Sequence, residues 1–368
     1  MKVLLLFPRF GIGGIAKSMS FVANICAKAF MDVTCVSMSN EEVLIELPEK
    51  AKKVYINYKE TGKRFELIIN KIYFLLAFRQ LIRKERPDVI VSFGTDYVRI
   101  VTFATIGLKI NIIGSERGNP FIYTKRQKKK YIYAMKKCYA VVFQTEQAKN
   151  FYPLEIKEKS IILPNPCVIK EHLQKKVNCK SRNVILVFSR LSEEKNIAGI
   201  VRAFAKAQRQ LTDFELHIYG KGPEKANIKT LISEKNIKNI YLFDEVANVF
   251  DYESGCRMFV LNSITEGFPN ALIEAMLEGI PCIASDCPSG GVRFLSDDGR
   301  RVHLIPVNDE DALAQAMVKV ATDNEYANSL VEKAREIEFV LNPDKIGKEW
   351  IKLIKGAANG KAFKKKAD

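Results

Sequence analysis

Histidine is almost absent from this 368-residue chain, which holds three, together with a single tryptophan. Zinc centres draw on histidine and cysteine, and the eight cysteines (Cys26, Cys35, Cys138, Cys167, Cys179, Cys256, Cys282, Cys287) include no Cys-x-x-Cys pair. Their scatter argues against a zinc site and against a disulfide framework, and fits reduced, mostly buried thiols. Long apolar runs are missing too. The longest candidate, Ile100 to Leu108, stops at Lys109, short of the roughly 18 to 20 residues a membrane span needs. The opening Met1 to Arg9 is strand-like, ended by Pro8, and too short for a signal peptide, so the chain is expected to stay in the cytoplasm.

Apolar residues make up 47% of the chain, an ordinary fraction for a folded soluble protein, and the length predicts two domains. The net charge of +16 is unevenly placed: residues 1–180 carry 32 Lys and Arg against 15 Asp and Glu, whereas the remainder carries 26 against 27. An excess confined to one half points to an anionic partner held there: a membrane surface, a phosphate-bearing lipid, or nucleic acid.

Lys2 to Phe7, a Gly-rich loop and a helical pattern through Ala29 read as strand, turn and helix, the opening of a doubly wound α/β unit. Gly11, Gly13 and Ala16 fit a Gly-x-Gly-x-x-Ala fingerprint. The second strand, Val33 to Met38, runs into Ser39 and Asn40, with Glu41 late for a ribose-binding acid. The motif therefore leaves open a nicotinamide dinucleotide or a tight turn with no ligand. Further strands are expected at Asp88 to Phe93, Ile110 to Gly114, Val141 to Gln144 and Ile161 to Leu163. Glu66 to Arg86, apolar on nearly every side, reads as a packed crossover helix. From 125 to 137 the pattern is amphipathic. At 100° per residue from Tyr123, Lys125, Arg126, Lys129, Lys130, Lys136 and Lys137 fall between roughly 200° and 340°, opposite Tyr131, Ala134, Met135 and Cys138. Such a helix suits an anionic lipid surface or a plain solvated face. Just ahead of it, Gly114 to Pro120 forms a polar loop at the sheet edge where α/β folds hold ligands.

A Lys-rich, poorly periodic stretch from Lys170 to Arg182 reads as a linker. Val184 to Phe188 starts a second sheet, followed by Arg190 and Lys195 at a helix entrance; they suit a pyrophosphate or an ion pair with Glu193 or Glu194. Strands at Phe214 to Tyr219, ended by Gly220, and at Ile240 to Phe243 lead to Met258 to Leu277. There a buried strand, a turn and a helix place the amides of Asn270, Ala271 and Leu272 at an anion seat, with Pro269 suited to the first helical position. Glu266 and Glu274 flank that seat and could accept hydrogen bonds from sugar hydroxyls; as a pair alone they equally fit a solvated surface. Further strands are expected at Pro281 to Ser285 and Val302 to Pro306. Asp309 to Asp311 has the spacing of a metal site but opens a helix, which favours capping. The last helix, about Asp344 to Lys355, carries Trp350, and a Gly/Ala/Lys tail follows.

Two tandem parallel-sheet domains, a Gly-Gly turn after the first strand, Arg190 and Lys195, and Glu266 eight residues before Glu274 together resemble the retaining glycosyltransferases of the GT-B fold, family 4 type. That family includes bacterial polysaccharide and lipid-linked sugar transferases. The resemblance covers nearly the whole chain. It implies two Rossmann-like domains facing across a cleft: residues 1–168 on the acceptor side, a linker at 169–182, a nucleotide-sugar domain at 183–342, a helix at 343–356 crossing back to the first domain, and a basic tail at 357–368. It implies transfer of a hexose or N-acetylhexosamine from a nucleotide diphosphate sugar, UDP by family frequency, with retention and without a metal or other cofactor. Arg190 and Lys195 would neutralise the diphosphate and Glu266 would face the sugar. Gly13, Gly14, Gly220, Phe268 and the helix start at Asn270, Ala271 and Leu272 would line the donor, with Glu274 on the ribose. Many members place a histidine near the donor sugar where this chain reads Ser115-Glu116-Arg117, so Glu116 and Arg117 take its place in the catalytic set. The acceptor, a lipid-linked or polysaccharide glycan, is expected at the inner membrane face, held there by the basic helix, with no nucleic acid bound. Two competing readings are a two-domain NAD(P) oxidoreductase, which leaves Arg190, Lys195 and the Glu pair idle, and a basic nucleic-acid binder, which lacks a base-stacking platform.

Overall fold

The computed structural model describes every residue except 12, 41–42, 58–63, 168–181, 247, 361–362 and 364–368. The chain divides into two units, Met1–Pro166 joined by Pro343–Asp368, and Cys167–Asn342. Nearly all of the expected linker, 169–182, lies outside the described residues, as does Glu41.

The first unit is built on seven strands: β1 (Lys2–Phe7), β2 (Asp32–Ser37), β3 (Lys52–Tyr55), β4 (Val89–Phe93), β5 (Asn111–Ser115), β6 (Ala140–Phe143) and β7 (Ser160–Ile162). All pairings are parallel, in the order β3-β2-β1-β4-β5-β6-β7. Its longer helices are α1 (Gly14–Lys28), α2 (Arg64–Glu85), α3 (Thr95–Ala104) and α4 (Lys125–Lys137), with the chain's final helix at Pro343–Ala358. Strands covered on both faces lose the polar–apolar alternation, which is why β1 and β4 read as unbroken apolar runs. On one face, Phe74, Phe78 and Ile82 of α2, Val98 and Val101 of α3, and Ala134 and Met135 of α4 join one core with Leu4, Leu6, Ile90 and Val141. On the other, Trp350 of the final helix stacks on Phe93 at 5.3 Å, and Gly347 lies against Phe21 and Ile25 of α1.

The second unit has six parallel strands, β8 (Arg182–Phe188), β9 (Glu215–Tyr219), β10 (Ile240–Phe243), β11 (Cys256–Leu261), β12 (Cys282–Ser285) and β13 (His303–Ile305), ordered β10-β9-β8-β11-β12-β13. Its longer helices are α5 (Ile197–Ala207), α6 (Lys225–Glu234), α7 (Asn270–Leu277), α8 (Glu310–Thr322) and α9 (Asn324–Ala334). Ile200 and Phe204 of α5 and Leu313 and Met317 of α8 pack on Ile185, Leu216, Met258 and Val260. In each sheet the strand order reverses direction once, between β1 and β4 and between β8 and β11. Loops leaving such neighbours diverge and open a crevice at the strands' carboxyl ends, the place α/β sheets offer a ligand.

Two sequence expectations change, and one strand goes unread in the sequence. The pair Lys52-Lys53 hid β3, an edge strand whose exposed positions tolerate charge. Pro269 is not the first helical residue; it is extended (φ −76°, ψ 107°) and caps α7 from outside. And α2 is a packed crossover helix on only one side: Phe65, Ile68, Ile69, Ile72, Tyr73 and Leu76 face outward.

Candidate active site

At the second unit's reversal point, the turns after β8, β9 and β11 are locked together. Leu191 N donates to Lys221 O (2.9 Å) and Glu224 N to Leu191 O (3.0 Å). A Cβ on Gly220 would lie 2.0 Å from Ser189 O, so this approach admits only glycine. Past the turn, Glu193–Lys195 form one 3₁₀ turn, and Asn196 (φ 47°) starts α5 by accepting Gly199 N at 3.2 Å. Ile264 N then bonds Glu194 O at 2.8 Å, tying the β8 loop to the β11 loop.

This tie brings a cation and a carboxylate together. Lys195 Nζ lies 2.5 Å from Glu266 Oε1, and Ser263 Oγ donates to the same oxygen at 2.7 Å. The side chains are 20% and 10% exposed, sheltered enough for the pair to hold without being sealed from a ligand. The turn beneath is braced by the loop after β12: Ser285 Oγ and Cys287 Sγ donate to Ser263 O at 2.5 and 3.2 Å, and Ser289 Oγ to Gly267 O at 3.3 Å. A Cβ on Gly291 would lie 2.0 Å from Gly267 O, which explains the run of small residues there.

The first backbone bond of α7 runs from Ile273 N to Pro269 O, so the amides of Asn270, Ala271 and Leu272 precede the ladder and form the positive end of its dipole. Glu274 stands half-buried one turn further on. Two expected donor residues sit differently from their reading. Arg190 points outward, its side chain 68% exposed and paired with Glu194, so the ion-pair alternative holds for Arg190 and not for Lys195. Phe268 is buried, with its ring 5.8 Å from Phe294.

In the first unit, Gly13 precedes α1 and Gly14 opens it; a Cβ on Gly13 would meet nothing within 4 Å, so this loop has open space beside it. Ser18 on α1 donates to Asn165 Oδ1 (2.9 Å), and Arg117 reaches the same oxygen at 2.6 Å. The Arg117 guanidinium lies over Phe93 at 3.9 Å and Trp350 at 6.0 Å. Burial pushes it down to about 9, an effect the neighbouring Glu116 partly opposes. Glu116 is buried and satisfied: Oε1 accepts Arg117 N, Gly118 N and Tyr123 OH at 3.0, 2.9 and 2.9 Å, and Oε2 accepts Tyr152 OH at 2.5 Å. With its oxygens so occupied, Glu116 braces the loop after β5 in which the sequence sets it beside Arg117. The two described histidines lie on strands, His217 between Glu253 and Glu215 and His303 beside Tyr326. Among the described residues no group of three or more His, Cys, Asp or Glu is placed to hold a metal ion. Asp309 caps α8 by accepting Ala312 N at 2.8 Å.

Residues 168–337 match the family model described as glycosyl transferases group 1. Over 366 residues the chain is 25% identical to the α-1,4-N-acetyl-D-galactosaminyltransferase of Campylobacter jejuni that is named for a GalNAc-GalNAc-diNAcBac-PP-undecaprenol substrate, covering 98% of this chain and 99% of that one. The chain is a glycosyltransferase of the GT-B fold. Among solved structures, the glycosyltransferase superposes on Anabaena HepE in complex with UDP and glucose with a TM-score of 0.79 at 13% identity, over 96% of this chain and 99% of that one. On the sucrose-phosphate synthase of Thermosynechococcus elongatus the TM-score is 0.82 at 17% identity, over 98% and 99%. The oxidoreductase alternative gives way to this assignment.

Sequence reasoning missed three residues at the glycosyltransferase's loops. Ser263 steadies Glu266, and Asn165, between two prolines, joins α1 to the Arg117 loop. Asn262, 1% exposed at the end of β11, has neither amide atom hydrogen-bonded. The Pro-Asn-Pro run was a visible signal for Asn165; short polar residues after a buried strand gave none for the other two. On α4, Lys125, Arg126, Lys129, Lys130, Lys136 and Lys137 are all exposed, while Tyr131, Ala134 and Met135 are buried, as the periodicity required. Among the described residues no helix is long and apolar enough to cross a membrane.

Proposed function

We propose that this glycosyltransferase moves a hexose or N-acetylhexosamine from a nucleotide diphosphate sugar to a membrane-borne glycan acceptor, with retention and without a metal ion. The observation that carries the reading is the Lys195–Glu266 contact beside the N-terminus of α7. A diphosphate at this place gains from the helix amides and from an ammonium already held on the site, with Arg190 able to swing from Glu194 to add a forked contact. As the anomeric bond breaks, negative charge gathers on the departing diphosphate, and these groups stabilise it. Displacing Lys195 onto phosphate frees Glu266 to orient the sugar and favour its developing positive charge, with Glu274 placed for the ribose. Retention has the acceptor hydroxyl enter on the leaving group's face. UDP is the nucleotide of choice because the HepE structure holds it with glucose. A lipid-linked acceptor at the inner membrane face is supported by the Campylobacter relative's named substrate and by the lysine row of α4.

The test is Glu266→Gln, which keeps size and loses charge. Donor hydrolysis and transfer are expected to fall at least about a hundredfold, roughly 2.7 kcal/mol of transition-state stabilisation, with UDP affinity retained. Near-normal turnover removes Glu266 from the mechanism.

A further inference from the structure

The α2–α3–α4 layer of the first unit carries a second apolar face besides the one in its core. At roughly 100° per residue with Phe65 at zero, Ile68, Ile69, Ile72, Tyr73 and Leu76 fall between about −60° and +80°, and the buried Phe74, Phe78 and Ile82 between about 180° and 260°. The six outward residues are 49% to 75% exposed, where a water-facing helix carries charge. They form a ridge roughly 17 Å long at the α-helical rise. Arg79 ties α2 to the end of α3 by donating to Ala104 O and Ile106 O, both at 2.7 Å, and there Phe103 and Ile106 extend the exposed apolar surface. Beyond them, between α3 and α4, lies a groove of about 260 Å³ lined by Arg99, Phe103, Lys129, Lys130 and Tyr133. Arg99 is held by Asp96 at 3.3 Å, and Lys129 and Lys130 beside the two aromatic rings make a receptacle for a phosphate whose attached chains turn towards apolar surface.

We propose that this layer is a bilayer-docking face: the α2 ridge enters the acyl-chain boundary while the α3–α4 groove takes the phosphate of an anionic lipid headgroup. Apolar ridge and basic groove side by side match the two zones of a leaflet, oily below and negatively charged above. A second copy of this chain fits the face poorly, because it would set lysine row against lysine row. The inference deepens the membrane part of the proposed function and rests on that reading for its purpose.

The experiment is flotation of the full chain with vesicles of phosphatidylcholine alone or mixed with phosphatidylglycerol, at low and high salt, with no nucleotide or acceptor. Ile72→Glu/Leu76→Glu tests the ridge, Lys129→Glu/Lys130→Glu tests the groove, and Leu76→Trp reports insertion. Each double variant is expected to lose at least about tenfold in binding to the anionic vesicles. What remains of the ridge variant's binding disappears in high salt, whereas what remains of the groove variant's does not. Leu76→Trp fluorescence shifts to the blue on the mixed vesicles. All variants keep nucleotide-sugar hydrolysis in solution, so a failure of docking is separable from a failure of the donor site. Vesicle binding by the ridge variant equal to wild type, with unshifted Leu76→Trp emission, overturns the proposal. So does a solution dimer that the ridge variant disperses while its vesicle binding is unchanged.

Discussion

Tyr152, Tyr123 and the amides of Arg117 and Gly118 all donate to Glu116, which turns the loop after β5 into a latch. Tyr152→Phe removes one donor from a buried carboxylate and is expected to cost about 1–3 kcal/mol of stability near neutral pH. Burial, with Glu116 beside it, raises the Tyr152 phenol far above its ordinary value. A folded pKa above the unfolded one gives stability that is complete below the unfolded value, about 10, and is lost as pH rises beyond it. The gap between wild type and Tyr152→Phe in denaturant titrations should therefore stay constant up to about pH 9 and narrow as pH rises past about 10; a gap that stays constant there contradicts the assignment. At this scale legibility was uneven. Lys195 and Glu266 could be found because each follows a buried strand at a helix entrance, where local pattern dictates position. The fate of Arg117 could not, since its guanidinium is buried by Phe93 and Trp350, which lie far from it and from each other in sequence.

Among the elements, α4 was the most legible, its apolar and basic residues separating at the helical period because one face packs and the other does not. Its start is fixed by a reciprocal cap: Thr124 Oγ1 accepts Gln127 N at 3.2 Å, and Gln127 Oε1 accepts Thr124 N at 3.0 Å. Lys125, Arg126 and Lys128 crowd the positive end of the helix dipole, so the helix leans on that cap. Thr124→Ala is expected to lower unfolding free energy by about 1 kcal/mol in denaturant titrations; no change would mean that packing alone holds α4. By contrast α2 was misjudged, because period analysis registers that a helix is apolar all round but not which side meets the sheet. β3 escaped notice since an edge strand can spend its positions on lysine.

For the molecule as a whole, the α/β class was readable because strands in covered parallel sheets appear as short apolar runs alternating with helices. The pairing order, and with it the reversal points, is not written in any one segment; it follows from how all the strands pack together. The same holds for the final helix, whose own residues do not announce that Trp350 belongs to the first unit. The charge asymmetry takes on structural meaning at this scale, as the exposed lysines of α4 lie in the same helical layer as the ridge of α2.

The central claim is that the Lys195–Glu266 contact is a donor site at rest. A crystal structure of the protein with UDP or a UDP-sugar tests it directly. The account predicts the diphosphate within hydrogen-bonding reach of Lys195 Nζ and the amides of Asn270 to Leu272, with the Lys195–Glu266 contact lengthened. A nucleotide bound elsewhere, with that contact still closed at 2.5 Å, would contradict it.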